Sequence, residues 1–155
     1  MSAAKPRRRS LLHRLLRIAA LVYALWLVAL FVAQRTIIFP SALVNDRYVP
    51  PPEGVEVWRE RRPDGVTAFA WFVPAQGDAS APAPAIVLLH GNAMLVGDWI
   101  AWAERLSRGG VHVLMPEFRG YGASEGSPTR EALVGDTVAM IEALGRDPRV
   151  DRNAI

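Results

Sequence analysis

Apolar and polar positions divide this chain into a basic arm, one long apolar run and a body of short alternating segments. Residues 18–33 read IAALVYALWLVALFVA, sixteen residues without a charge. A membrane-spanning helix needs about 20 largely apolar residues. Leu15, Leu16 and Gln34 extend the run, and Arg17 and Arg35 can snorkel to the interfaces. Residues 35–53 form a connector with Pro40, Pro50, Pro51 and Pro52. Val55, Val57 and Arg59 alternate as in a half-exposed strand, and residues 67–73 predict a second strand with Phe69, Trp71 and Val73 on one face. Pro63-Asp64-Gly65 between them is turn chemistry, so the two strands are expected to pair as an antiparallel hairpin. Residues 74–84 are rich in Ala and Pro and read as a surface loop.

Residues 85–89, AIVLL, are continuously apolar, which suits a strand buried on both faces of a parallel sheet. Leu95, Trp99, Trp102 and Leu106 then follow helical spacing, with Trp99 and Trp102 expected in the core, and Gly109-Gly110 stops the helix. Residues 111–115 form another buried strand. Ser127 can cap the next helix with Pro128 at its first position. Its buried face is predicted as Leu133, Thr137, Val138, Ile141 and Leu144, and Gly145 ends it. Residues 147–153 read as a loop, and residues 154–155 as the opening of a further strand. Strands alternating with helices in this way predict an α/β fold with a mainly parallel sheet. The expected organisation is a basic arm at 1–17, a transmembrane anchor at 18–34, a connector at 35–53 and an α/β domain at 54–155.

Charge changes the picture at the amino terminus. The chain has 155 residues and a net charge of +3. Residues 1–17 hold Lys5, Arg7, Arg8, Arg9, Arg14 and Arg17 without an acid, which leaves twelve basic against fifteen acidic residues, or −3, in the remainder. The body therefore carries no basic face for nucleic acid. A basic flank before an apolar span is a topology signal, and it places the amino terminus in the cytoplasm and the domain on the opposite side. Two other readings of the run compete. A cleaved signal peptide has the same plan, but an exit at Ala33 would put bulky Phe31 where a small residue is wanted. A buried core helix seldom follows six positive charges. The absence of cysteine excludes a thiolate nucleophile or thiolate metal site in these residues. His13, His90 and His112 lack ligand spacing, so neither a metal nor a cofactor is expected.

The candidate chemistry lies where the two buried strands break into turns. Acyl transfer builds negative charge on a carbonyl oxygen, and fixed backbone N–H groups stabilise it. In His90-Gly91-Asn92-Ala93 the glycine permits a sharp turn, and the donor would be the N–H of Asn92, with Ala93 next in line. Alone, this is an ordinary strand-to-helix turn with His90 packed beneath it. The second turn, Arg119-Gly120-Tyr121-Gly122-Ala123-Ser124-Glu125-Gly126, discriminates better.

With both turns in place, the chain resembles the α/β-hydrolase superfamily, N-terminal portion only. Within it the chain is most similar to the membrane-anchored Bem46 and ABHD13-like, serine-aminopeptidase-like branch. The resemblance rests on the HGNA turn at 90–93, the RGYGxSxGxP loop at 119–128, and a helix with Asp136 and Ala139. Glu117 departs from the Asp often found there. The resemblance implies an oxyanion hole at Asn92 and Ala93, with His90, Gly91, Arg119, Gly120, Gly122 and Ser124 structuring the loops. The Ser124 hydroxyl and the Arg119 side chain are expected to hold the second loop. The nucleophile, acid and histidine, in that order for this fold, are expected beyond Ile155.

Gly122-Ala123-Ser124-Glu125-Gly126 also satisfies the G-x-S-x-G nucleophile pattern. An elbow serine sits on a turn running straight from strand to helix, whereas Gly126-Ser127-Pro128 separates Ser124 from its helix. A dinucleotide-binding reading meets a GxGxxxG spacing in place of GxGxxG. The expectation is thus the first part of a membrane-anchored serine hydrolase acting on an ester, thioester or amide through an acyl-enzyme. These residues alone are expected to be inactive and marginally folded. The implied partners are the lipid bilayer through residues 18–34 and a small acyl substrate in the full-length parent. The alternative is a non-catalytic membrane-tethered scaffold or binding protein from a truncated gene.

Overall fold

A computed structural model describes residues 7–77 and 81–155. Residues 1–6 of the basic arm, Lys5 included, and residues 78–80 of the Ala/Pro loop lie outside the described residues. The chain forms two units, the first ending at Ile38 and the second spanning Phe39–Ile155.

The first unit is one helix, α1 (Arg7–Ile38), continuing past the predicted end at residue 34. Its apolar part, Leu11–Ile38, has 28 residues. At a rise of 1.5 Å per residue that is about 42 Å, more than the roughly 30 Å of a bilayer's hydrocarbon core. The helix is apolar and long enough to cross a membrane.

The second unit is built on four strands, β1 (Glu56–Arg61), β2 (Thr67–Val73), β3 (Ala85–Val87) and β4 (His112–Glu117), in the order β1-β2-β4-β3. The predicted hairpin forms: Glu56 pairs with Phe72 and Arg61 with Thr67 in antiparallel register. The sheet is mixed, however, where a mainly parallel one was expected. β2 also pairs antiparallel with β4, and only β3 and β4 run parallel. The reason lies in the connections: a two-strand hairpin closes through a tight turn, whereas a parallel pair needs a crossover. Among the described residues, only the link between β3 and β4 holds a helix, α2 (Ile100–Arg108), preceded by a short 3-10 turn at Val96–Trp99.

Both faces of the sheet are covered. Phe69, Trp71 and Val73 pack with Val113, Met115 and Ala103, the last from α2. Ala68, Ala70 and Phe72 point the other way, against Leu114 and against Met140 and Leu144 of α3 (Arg130–Leu144). Period-two alternation along β2 thus places one helix on each face.

Three predicted details shift. Trp102 is 58% exposed instead of core, because the 3-10 turn winds with about three residues per turn and changes the phase entering α2. Thr129, and not Ser127, caps α3, its Oγ1 accepting the Ala132 N–H at 3.1 Å. The buried face of α3 is Asp136, Ala139, Met140 and Leu144, while Val138 and Ile141 are exposed. A hydrophobic count passes over Asp136, since carboxylates are seldom buried unless paired. Residues 154–155 form no strand, although the Ala85 N–H donates to the Ala154 carbonyl at 2.9 Å.

Candidate functional site

The parallel pairing of β3 with β4 brings the ends of both strands, and so both turns, side by side. The Tyr121 hydroxyl donates to Asn92 Oδ1 at 3.1 Å, tying the second loop to the first. Tyr121 is 1% exposed and packs with Val44 and Leu95 in a third cluster, joined by Phe39, Tyr48, Ala93 and Phe118. The connector after α1 is therefore part of the wall around the turns. Asn45 extends this contact: its amide donates to the Gly120 carbonyl at 2.8 Å, and its Oδ1 accepts the Gly122 N–H at 3.0 Å. Arg47 donates to the Ala93 carbonyl at 3.2 Å and lies 3.8 Å from Asp98. Asn45 and Arg47 escape a sequence reading because nothing in a polar connector signals partners more than 40 residues away, and Tyr121 escapes it because a tyrosine within a glycine-rich turn does not announce a bond to the other turn.

The backbone bends at Ala93, not at Gly91. Ala93 has φ 55°, the only left-handed non-glycine among the described residues. That conformation costs an L-residue roughly 1–2 kcal/mol, so neighbouring groups must hold it. The Ala93 N–H is taken up by Asn92 Oδ1 at 3.1 Å, while Arg47 holds the carbonyl. Of the two expected oxyanion donors, Ala93 is thus engaged by a side chain, and Asn92 sits exposed at the tip.

Under the turn lies a buried pair. His90 Nε2 is 2.9 Å from Glu117 Oε1, with both side chains at 1% exposure or less. Glu117 Oε2 accepts the Val96 N–H at 3.3 Å. Burial, and after it the Glu117 charge, push the Tyr121 and Tyr48 phenols up from the usual tyrosine range. The longer Glu spans from His90 to Val96, which accounts for the departure from Asp noted in the sequence. It also explains Gly122: at φ +52° a Cβ there would lie 2.6 Å from Glu117 Oε2 and 2.9 Å from Tyr48.

Arg119 grips elements distant from its own loop. Its Nε and Nη2 both donate to Asp136 on α3, the latter at 2.8 Å, and Nη1 donates to Asp64 in the β1–β2 turn. These bonds, Asp136 first, raise the guanidinium pKa further, and the same contact lowers that of Asp64. Arg62 adds a bond to Asp136 at 3.1 Å. Ser124 differs from expectation. Its hydroxyl is buried and makes no hydrogen bond among the described residues. The loop is closed instead by its backbone, with the Gly120 N–H on the Ser124 carbonyl at 3.1 Å and the Ser124 N–H on the Tyr121 carbonyl at 2.9 Å.

Comparison with known proteins agrees with this geometry. A family model described as the alpha/beta hydrolase fold matches residues 84–150, the stretch from β3 through α3 that carries both turns. The chain belongs to the α/β-hydrolase superfamily. It is 32% identical over 102 residues to the uncharacterized protein YfhR of Salmonella typhi, covering 63% of this chain and 34% of that protein. It is 38% identical over 74 residues to human protein ABHD12B, covering 46% of this chain and 20% of that one. The crystal structure of the α/β hydrolase GrgF from Penicillium sp. sh18 superposes with a TM-score of 0.56 at 22% identity, covering 69% of this chain and 36% of GrgF. The chain thus spans about a third of the length of YfhR.

Proposed function

We propose that this chain is the oxyanion-hole half of a membrane-anchored serine hydrolase of the Bem46-like branch. The observation that carries the reading is the locked pair of turns: Tyr121 joined to Asn92, with Ala93 held left-handed beside it. In the reaction, a serine hydroxyl attacks the carbonyl carbon of an ester, thioester or amide. A base takes its proton, and the carbonyl oxygen becomes the anion that the Asn92 N–H stabilises. Collapse releases the alcohol, thiol or amine and leaves an acyl-serine, which water hydrolyses. The nucleophile, acid and histidine come from sequence following Ile155 in a longer protein. In support, Val134, Val138 and Ile141 form an exposed apolar stripe on α3, and Ile86 and Leu89 are exposed at the β3 edge. Such surface is what further strands and helices would cover. The small acyl-type substrate is bound by the longer protein. Helix α1 anchors it in the bilayer, and the six basic residues of the arm place the hydrolase domain across the membrane from the cytoplasm.

The test is to express the reading frame extended past Ile155, in detergent, and assay p-nitrophenyl ester hydrolysis and fluorophosphonate labelling. Turnover by the extended protein and none by the 155-residue chain is expected. A folded extended protein that neither turns over ester nor takes label would refute the reading. So would activity of the short chain abolished by Ser124→Ala.

A further inference from the structure

We infer that His90 is a positioning residue, its Nδ1–H holding the Gly91 carbonyl and thereby turning the Asn92 N–H outward, with Glu117 stationed behind the ring. The inference rests on the reading of Asn92 as the oxyanion donor.

His90 Nδ1 lies 3.0 Å from the Gly91 carbonyl oxygen. A carbonyl can only accept, so Nδ1 carries a proton. The Gly91–Asn92 peptide is trans, and in a planar trans peptide the N–H points opposite to the C=O. The carbonyl faces a ring that is 5% exposed, while Gly91 and Asn92 are exposed. Holding the carbonyl inward therefore aims the Asn92 N–H at the open side, where a substrate oxygen would arrive.

The other ring nitrogen explains the buried acid. Nε2 is 2.9 Å from Glu117 Oε1, which has no other hydrogen-bond partner among the described residues. A bare Nε2 lone pair and an ionised carboxylate would repel at that distance, so a proton lies between them. Whether Nε2 or the carboxyl holds it, Nδ1 keeps its own. The Phe118 N–H, 3.3 Å from Nε2, supports the same tautomer. The ring packs against both Phe118 and Tyr121, with centroids 4.2 and 5.5 Å away. A ring flip would set a carbon against the Gly91 oxygen.

The first test is nitrogen-15 NMR of histidine in the full chain in detergent micelles. The chain has 3 histidines, and the His90→Phe spectrum identifies the signal of interest. A protonated Nδ1 is expected near neutral pH, and in Glu117→Gln as well, whose amide donates to Nε2. A bare Nδ1 with a protonated Nε2 would overturn the inference. The second test uses the extended hydrolase. His90→Phe keeps the ring packing but loses the donor, so kcat should fall on the order of 100-fold with KM unchanged. His90→Asn places an amide N–H near the Nδ1 position and should recover most of that loss. Equal losses in both variants would mean a packing role and would also overturn the inference. If the unsubstituted extended protein has no turnover, the hydrolase reading is what fails, and the tautomer alone decides the orientation of the peptide.

Discussion

Replacing Arg119 by Met should be among the most damaging single changes in the second unit. Methionine keeps much of the side-chain bulk and removes the charge and its bonds. The Arg119 and Asp136 side chains are 9% and 12% exposed, and the guanidinium grips the carboxylate through two nitrogens. Breaking a buried pair by removing one partner costs about 3–5 kcal/mol, because the other charge stays buried. Two features hold this case near the lower bound. Arg62 remains 3.1 Å from Asp136. An open cleft lined among others by Arg62, Asp64 and Asp136 lies beside the carboxylate, on the solvent side. The expected loss is about 3 kcal/mol. For a unit of this size that is roughly 10 °C in Tm. Asp64→Asn removes the other partner of Arg119, but Asp64 is 53% exposed, so solvent screens the pair and a much smaller Tm shift than that of Arg119→Met is expected. The assay is thermal unfolding of the full chain in micelles, followed by near-ultraviolet circular dichroism, to which buried Trp71 contributes. Equal shifts in the two variants, or a shift of only a degree or two in Arg119→Met, would refute the assignment of Asp136 as the main partner.

Gly122→Ala combines a left-handed backbone with a clash against Glu117 and Tyr48, so at least about 2 kcal/mol should be lost. Gly110→Ala is the control, since its φ is +83° with open space around a Cβ, and the difference between the two Tm shifts isolates the crowding. Asn45→Ala removes both bonds from the connector to the second loop, costing about 1 kcal/mol, and should speed limited proteolysis of residues 39–53. Arg149, by its hydrogen bonds, holds both Glu56 and Asp147 below the usual carboxylate range. A lowered folded-state pKa gives stability that is present above the unfolded pKa, about 4, and is lost as pH falls through the folded value. The Tm gap between wild type and Arg149→Met should therefore be full at neutral pH and shrink in acid below about pH 4. A gap independent of pH would rule out the ion pairs as its source.

Local pattern along the chain placed most of the elements and their breaks. Apolar runs of strand length, the long apolar run near the amino terminus and the glycine-rich turns are local signals, and each maps onto an observed element. The hairpin, the strand at 112–117 and both helices lie close to where periodicity placed them, whereas β3 stops at Val87 and leaves Ile86 and Leu89 exposed instead of buried on both faces; the two turns were legible because glycine and the strand ends that precede them are written in consecutive residues. Tertiary structure decided the rest. Strand direction depended on which connection was long enough to cross over, giving a mixed sheet. The face of α3 turned on a carboxylate that is buried only because Arg119 reaches it. Asn45 holds Gly120 across 75 positions, and His90 meets Glu117 through a contact that no spacing rule encodes. Even the left-handed residue, Ala93, stands where composition would have put glycine. Hydrogen bonds and ion pairs between distant residues are selected when packing brings them together and excludes water. Local propensity names the groups able to make such bonds, and only the folded chain determines which of them meet.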